Sequence, residues 1–418
     1  MLHQPSIGAT TARFLSAFSR SKIVNKPLRI LQIIPSISVV YGGPSQMVRG
    51  LSKALAEQNV EVTILTTDSN GDAGQAPLDV EYDRPLSQDG YQIRYFRCSP
   101  FRRYKFSLGL LQWLAQHGQE YDLAHIHALF SPVSSLAATI ARHQKLPYIL
   151  RPLGTLDPAD LQKKRQLKQL YAAVLERPNL AGSSAIHFTS DQEAKISERF
   201  GTISRDIVLP LGVNPAIENP QARQAIRAQY SIPDDRPLIL FMSRLDPKKG
   251  FDLLLPALQK LAEEQDFHFV LAGSNSQDPD YERQIAAQIQ GSILADRTAI
   301  AGFVAGEAKA ALLQAADLFV LPSYYENFGI AVAEAMVAGV PVVISDQVYI
   351  WEQIHQAQAG WVSPCTVEGL LEQLRSALVD RAERQRRGEN AKAYALENYS
   401  WGAIAQQMVE VYRQILER

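Results

Sequence analysis

The sequence is nearly without cysteine. Cys98 and Cys365 are the only two in 418 residues, and they lie far apart. That spacing gives no disulfide framework and no set of metal-binding thiolates, and it suits a reducing, cytoplasmic compartment. Long apolar runs are lacking as well: none approaches the ~20 residues of a membrane span. No excess of one charge sign is present. The net charge is −1, which speaks against nucleic acid as the main partner. No G-x-G-x-x-G string occurs, so a dinucleotide-dependent oxidoreductase loses its usual fingerprint. Repeats at solenoid periods and low-complexity tracts are absent. Acids are missing from residues 1–26, which carry Arg13, Arg20, Lys22 and Lys26. This extension reads as disordered, with an organellar targeting peptide or an interfacial amphipathic segment as the alternatives.

What the chain does have is alternation. Its length is generous for one domain and comfortable for two. From Leu28 onward, short apolar runs alternate with helical patterns, the signature of βαβ units on a parallel sheet. Leu28–Ile34 reads as the first strand, followed by a Gly-Gly-Pro loop and a helix through Ala56. Further strands are expected at Glu61–Thr67, Gln92–Phe96, Leu123–His127, Tyr148–Leu150, Ala185–Thr189 and Ile207–Leu209. The pattern restarts at Leu238–Met242 and continues at Phe267–Leu271, Ala299–Ala301, Asp317–Leu321 and Pro341–Ile344. Between the two series, Asn214–Pro237 contains four prolines and reads as a linker with one short helix. The expected fold is α/β, with two doubly wound, Rossmann-like domains over 27–213 and 214–398 facing each other across a cleft. A helical segment over 399–418, carrying Trp401 and Tyr412, is expected to return to the first domain.

The densest chemistry lies at Glu326-Asn327-Phe328-Gly329-Ile330-Ala331-Val332-Ala333-Glu334. The segment follows an apolar strand and runs into a helical pattern closed by Gly339. Ligands of open α/β sheets bind at the carboxyl ends of strands, and the free N–H groups of a helix start attract phosphate. Were the whole segment helical, its two carboxylates would stand ~12 Å apart at 1.5 Å per residue. One acid at each end suits an elongated, polyhydroxylated, phosphate-bearing ligand, which is the shape of a nucleotide sugar. Arg244 and Lys249 follow the first strand of the second domain. They bring two cations to an equivalent strand end, as a diphosphate leaving group requires. The bland alternative for this pair is a solvated basic turn.

Other features carry less. Gly42-Gly43-Pro44 would let backbone approach a ligand, although most such pairs are plain turns. His125 and His127 alternate on one strand and share a face. His125 reads as structural, and His127, at the carboxyl end, as a cleft residue. Arg151 follows the next strand and is a candidate on the acceptor side. The cations Lys163, Lys164, Arg165 and Lys168 read first as a solvated face, with anionic lipid or a polyprenyl diphosphate as the alternative contact. Asp278-Pro279-Asp280 is the one Asp-x-Asp string, and its internal Pro before a helix points to an N-cap instead of a metal site.

Taken together, these motifs resemble a family-4 retaining glycosyltransferase of the GT-B fold. The resemblance rests on Glu326 and Glu334 at E-x7-E spacing, Ser243-Arg244-Leu245 with Lys249-Gly250, Leu209-Pro210-Leu211-Gly212-Val213 and Pro341-Val342-Val343. In the first half it rests on Gly42-Gly43 and Asp122…His125-Ile126-His127. It covers roughly residues 28–418. It implies that Glu326 and His127 are catalytic, with Glu326 on the donor sugar hydroxyls and His127 near the transferred sugar. It implies that Glu334 holds the ribose, Arg244 and Lys249 the diphosphate, and Gly43 with the backbone of Phe328, Gly329 and Ile330 the rest of the donor. Many members carry His-Gly after the fifth strand, where this chain has Leu153-Gly154.

The expected activity is transfer of a sugar, with retention, from a UDP- or GDP-linked donor to a carbohydrate or polyprenyl-linked acceptor. No cofactor or metal is expected, and peripheral contact with the inner membrane face is compatible with the basic run. A nucleotide-sugar epimerase of the same fold and a non-catalytic sugar-nucleotide sensor are the competing readings. The first would turn over without acceptor, and the second would not turn over at all.

Overall fold

The computed structural model describes residues 27–418 apart from 72–74, 83, 163–164 and 216–217. The expectations for residues 1–26 and for Lys163 and Lys164 lie outside the described residues. The first sheet contains β1 (Arg29–Ile33), β2 (Glu61–Thr67), β3 (Leu86–Gln88), β4 (Tyr91–Phe96), β5 (Leu123–His127), β6 (Tyr148–Arg151), β7 (Ala185–Phe188) and β8 (Asp206–Val208). Their order in space is β3-β4-β2-β1-β5-β6-β7-β8, parallel except for β3. The second sheet contains β9 (Leu238–Met242), β10 (His268–Ala272), β11 (Thr298–Gly302), β12 (Leu318–Leu321), β13 (Val342–Ser345) and β14 (Gly360–Ser363). Its order is β11-β10-β9-β12-β13-β14, and every pairing is parallel.

The central strands are apolar runs because helices cover both of their faces. Every residue of β9, β10, β12 and β13 is buried. The two strands missed by the sequence reading are both at sheet edges. β3 is Leu-Ser-Gln, too short and too polar to show a period. Its signal was the turn instead: Asp89-Gly90, both at positive φ, joins Gln88 to its partner Tyr91 as a two-residue hairpin. β14 is Gly-Trp-Val-Ser and pairs on one side alone, with β13. Each sheet reverses its strand order once, between β1 and β5 and between β9 and β12, and ligands collect at such reversals.

The linker carries one helix, Ala222–Gln229. The last helix, Trp401–Leu416, packs on the first domain. Its Tyr412 is fully buried and accepts a hydrogen bond from Gln32 of β1. The Trp401 ring lies over Gly50 and Gly212, where a methyl group would come within 2.4 and 2.1 Å of it. Just before the helix, Tyr399 accepts from the Val213 amide at 2.8 Å, which ties the chain end to the domain junction.

Candidate active site

A cleft of about 670 Å³ opens between the two domains, within the range of small-molecule sites. The first domain contributes Gly42, Gly43 and Pro44, which follow β1, and Arg151 and Leu153 from the end of β6. The second contributes Arg244, Lys248 and Lys249 after β9, and Glu326 through Ala331 with Glu334 after β12. All the donor-side residues singled out in the sequence therefore share one space.

Backbone packing explains why. Gly250 has φ +74, and a Cβ there would stand 2.2 Å from the Pro322 carbonyl oxygen. Only glycine lets the loop after β9 pass so close to the loop after β12. Tyr324 then donates its amide to the Lys248 carbonyl at 2.8 Å. Glu326 is pinned from its other side, its amide donating to Gln347 and its carbonyl accepting from Tyr349, both at 2.9 Å. The result is a direct ion pair between Lys249 and Glu326. Burial by itself pushes the Glu326 carboxyl up. Lys249, Lys248 and Arg244 outweigh it and hold the group below the usual carboxylate range. Burial pulls the Lys248 amine down, partly offset by Glu326. Arg244 is half exposed and stands 3.8 Å from Asp246.

The segment from Glu326 is not continuously helical, so the helical spacing of its two acids does not apply. The helix runs over Ile330–Val337 with Gly329 as N-cap. Glu334 lies one turn inside it and pairs with Lys309 at 2.5 Å. No sequence signal linked Lys309 to the motif, because it arrives on a separate helix, Gly306–Ala315. The Phe328 ring turns away into the core, edge-on to Tyr399 at 5.1 Å between centroids. Its backbone remains on the cleft. Asp278 caps the helix Pro279–Gln290 by accepting from the Tyr281 amide, and Asp280 pairs with Arg283.

The two domains touch at the cleft floor. A Cβ on Gly43 would meet Ile330 Cδ1 at 3.0 Å, and one on Gly154 would meet Asn327 Nδ2 at 2.2 Å. The Leu153-Gly154 turn, with both residues at positive φ, thus seats on the loop that carries Glu326. Tyr349 donates to Asp157 Oδ2 at 2.8 Å across the same seam. Asn327 sat inside the recognised motif and went unremarked.

His127 departs from expectation. It is fully buried and does not line the cleft. Its ring is held inside the first domain by the hydrogen bond to Gln32 Oε1 of β1 at 2.7 Å. It stacks on His125 at 4.6 Å. Burial first, and then Arg151 and His187, push its pKa well below the ordinary histidine value. His125 behaves likewise, and His187 falls to about 3. Neutral rings fix the protons. The Leu209 carbonyl can only accept, so His187 Nε2 carries the hydrogen at 2.9 Å. His187 Nδ1 must then accept from His125 Nε2 at 3.3 Å. His125 Nδ1 accepts from the Tyr412 hydroxyl at 3.0 Å. Gln32 Nε2 donates to that hydroxyl at 3.2 Å, and Gln32 Oε1 accepts from His127 Nε2 at 2.7 Å. His127 Nδ1 is left bare, buried and unpartnered. One tautomer thus runs from the domain junction to β5.

The Lys249–Glu326 pair yields a pH prediction. A carboxyl with a depressed folded-state pKa stabilises the fold above its unfolded pKa, and that stability is lost as pH falls through the folded value. Glu326→Gln leaves Lys249 buried without a counter-charge. It should lower stability at pH 7 by up to about 3 kcal/mol. The gap to wild type should close as the pH drops below the ordinary carboxylate range. Thermal unfolding across pH checks this, and a gap independent of pH would contradict it.

Comparison with known proteins agrees with this geometry. A family model described as "Glycosyl transferases group 1" matches residues 222–394, and one described as "Glycosyl transferase 4-like domain" matches 42–212. An uncharacterized glycosyltransferase of Methanocaldococcus jannaschii is 26% identical over 400 residues, covering 90% of this chain and 96% of that one. A D-inositol 3-phosphate glycosyltransferase of Xylanimonas cellulosilytica is 27% identical, covering 90% and 93%. Among solved structures, sucrose-phosphate synthase from Thermosynechococcus elongatus has a TM-score of 0.73 at 24% identity, covering 93% of this chain and 99% of that one. Anabaena HepE, solved with UDP and glucose, has a TM-score of 0.73 at 21% identity, covering 93% and 100%. Two facing Rossmann-like domains, one matched by each family model, make this chain a glycosyltransferase of the GT-B, family-4 type.

Proposed function

We propose that the protein moves a hexosyl group, with retention, from a UDP- or GDP-linked sugar to a carbohydrate or polyprenyl-linked acceptor in cell-surface or exopolysaccharide synthesis. The observation that carries this reading is the convergence of Arg244, Lys248, Lys249, Glu326 and Glu334 on one wall of a two-domain cleft. That wall offers cations for a diphosphate and two carboxylates for hydroxyl groups. The UDP-glucose complex of HepE supports a nucleotide sugar as the ligand of such a cleft.

In this reading Glu334 takes the ribose hydroxyls and Lys309 keeps its carboxylate in place. Arg244, Lys249 and the free N–H groups at the start of Ile330–Val337 take the charge that gathers on the leaving diphosphate. Glu326, already ordered by Lys249, accepts from the sugar hydroxyls. The bond between C1 and the β-phosphate oxygen breaks. The acceptor oxygen bonds to C1 on the same face, and its proton passes to the departing phosphate oxygen. This front-face route needs no separate protein base. A covalent glycosyl-enzyme trapped on Glu326 would overturn it.

The reaction takes place at the cytoplasmic face of a membrane in this proposal. Leu167, Leu170 and Val174 are 63%, 65% and 63% exposed and fall at helical spacing. Exposed Arg165 and Arg177 flank them. An apolar stripe edged by cations suits an anionic lipid surface.

Three outcomes test the proposal. Glu334→Ala should weaken UDP or GDP binding and raise KM. Glu326→Ala should keep nucleoside diphosphate affinity while kcat falls by about 100-fold or more. Calorimetry and steady-state kinetics in the reverse order would swap the two roles. Activity should survive exhaustive chelation, since the cations and the helix start do the work a metal does elsewhere. Loss on chelation with recovery in magnesium or manganese would refute that account. Phosphatidylglycerol vesicles should co-sediment the wild type and release the Leu167→Asp, Leu170→Asp double variant. Equal sedimentation would remove the membrane contact.

A further inference from the structure

Among the described residues, Arg151 is the cation that the first domain brings to the cleft. It ends β6, lines the cleft and is 3% exposed. Among the described residues its guanidinium donates one hydrogen bond, to the Met47 sulfur, a weak acceptor, and its Nε has no partner. Among the described residues it forms no ion pair. Glu193 lines the same cleft and its field favours the charged guanidinium, but it makes no direct ion pair with Arg151, and its Oε2 accepts from the Thr189 amide and hydroxyl at 2.7 Å each. A guanidinium taken out of water without a carboxylate in direct contact is expensive to bury. Such a group awaits an anion.

A second feature of the same sign lies beside it. Met47 belongs to the helix Gly43–Glu57, whose start also lines the cleft. That helix has no side-chain N-cap and no acid in its first turn. Its dipole therefore adds positive field beside the guanidinium, while Gly43 at its start is already used in the donor reading. Both features are on the first-domain wall. Arg244 and Lys249 stand on the opposite wall, where one diphosphate already accounts for them.

We infer that Arg151 forms an acceptor subsite for a phosphoryl group, so that the acceptor is an anionic sugar phosphate or lipid-linked diphosphate and not a neutral glycan. This rests on the donor reading above. A neutral acceptor would leave the guanidinium unpaired, whereas a phosphoryl group can be met by two parallel N–H bonds.

The test uses the full chain saturated with UDP and titrated with inorganic phosphate by calorimetry. Wild type should bind phosphate. Arg151→Gln should weaken that binding at least tenfold, Arg151→Lys should keep part of it, and UDP affinity should stay within twofold. Phosphate binding unchanged in Arg151→Gln overturns the inference. So does a parallel fall in UDP affinity, which would assign Arg151 to the donor phosphates. Arg151→Met is the folding control. Removing an unsatisfied buried charge should raise the unfolding temperature of the ligand-free protein, and a fall would make Arg151 a structural partner and overturn the subsite. Glucose 6-phosphate and farnesyl diphosphate then separate a soluble from a lipid-linked source by which one binds tighter. GDP replaces UDP if it is the one that binds; if neither binds wild type, the donor reading fails, and phosphate titration of the nucleotide-free protein still decides on Arg151.

Discussion

The close passage of Gly250 beneath the Pro322 carbonyl is the constraint on which the donor wall depends. It holds the loops after β9 and β12 at contact distance, and the Lys249–Glu326 ion pair follows from that contact. The pair has two consequences. It keeps a partly buried carboxylate ionised in a place where burial alone would favour its neutral form. It also orders Glu326 before any ligand arrives, so less side-chain entropy is lost on binding. The same carboxylate is held through its backbone by Gln347 and Tyr349 of the loop after β13. Three neighbouring strand ends therefore fix one functional group.

The two domains are joined at the cleft by small residues and a few polar contacts. Gly43 lies against Ile330, and Gly154 lies against Asn327. Each brings first-domain backbone onto the loop that carries Glu326. Tyr349 and Asp157 add a buried hydrogen bond, and the C-terminal helix binds the chain end to the linker at Val213. A seam built this way transmits position: a change at the Leu153-Gly154 turn is felt directly at Asn327, next to Glu326.

The first-domain wall is organised differently. Its polar groups sit behind the surface in a single hydrogen-bonded train, from Leu209 through His187, His125, Tyr412 and Gln32 to His127. Neutral histidines give that train one consistent set of protons. Arg151, the register partner of His127 on β6, is the group that emerges into the cleft. The two walls are thus chemically distinct. One presents directly paired charges, and the other presents Arg151, without a direct ion pair among the described residues, backed by a neutral polar core.

By itself the sequence determined the parallel α/β architecture and which second-domain residues gather at the cleft. Buried parallel strands must be apolar runs, and the loops that follow them must carry any ligand chemistry, so both features are local in the chain. β3 and β14 escaped because edge strands need neither length nor apolarity, although Asp89-Gly90 marked the first of them. Tertiary structure alone decided which charges pair. Lys309 reaches Glu334 and Lys249 reaches Glu326 from distant parts of the chain, and no spacing rule encodes such contacts. It also decided that His127 is covered while Arg151 is open to the cleft. The two are register partners at the ends of adjacent strands, and their fates differ because the His127 ring lies against His125 and Gln32 whereas the Arg151 side chain reaches the cleft lining.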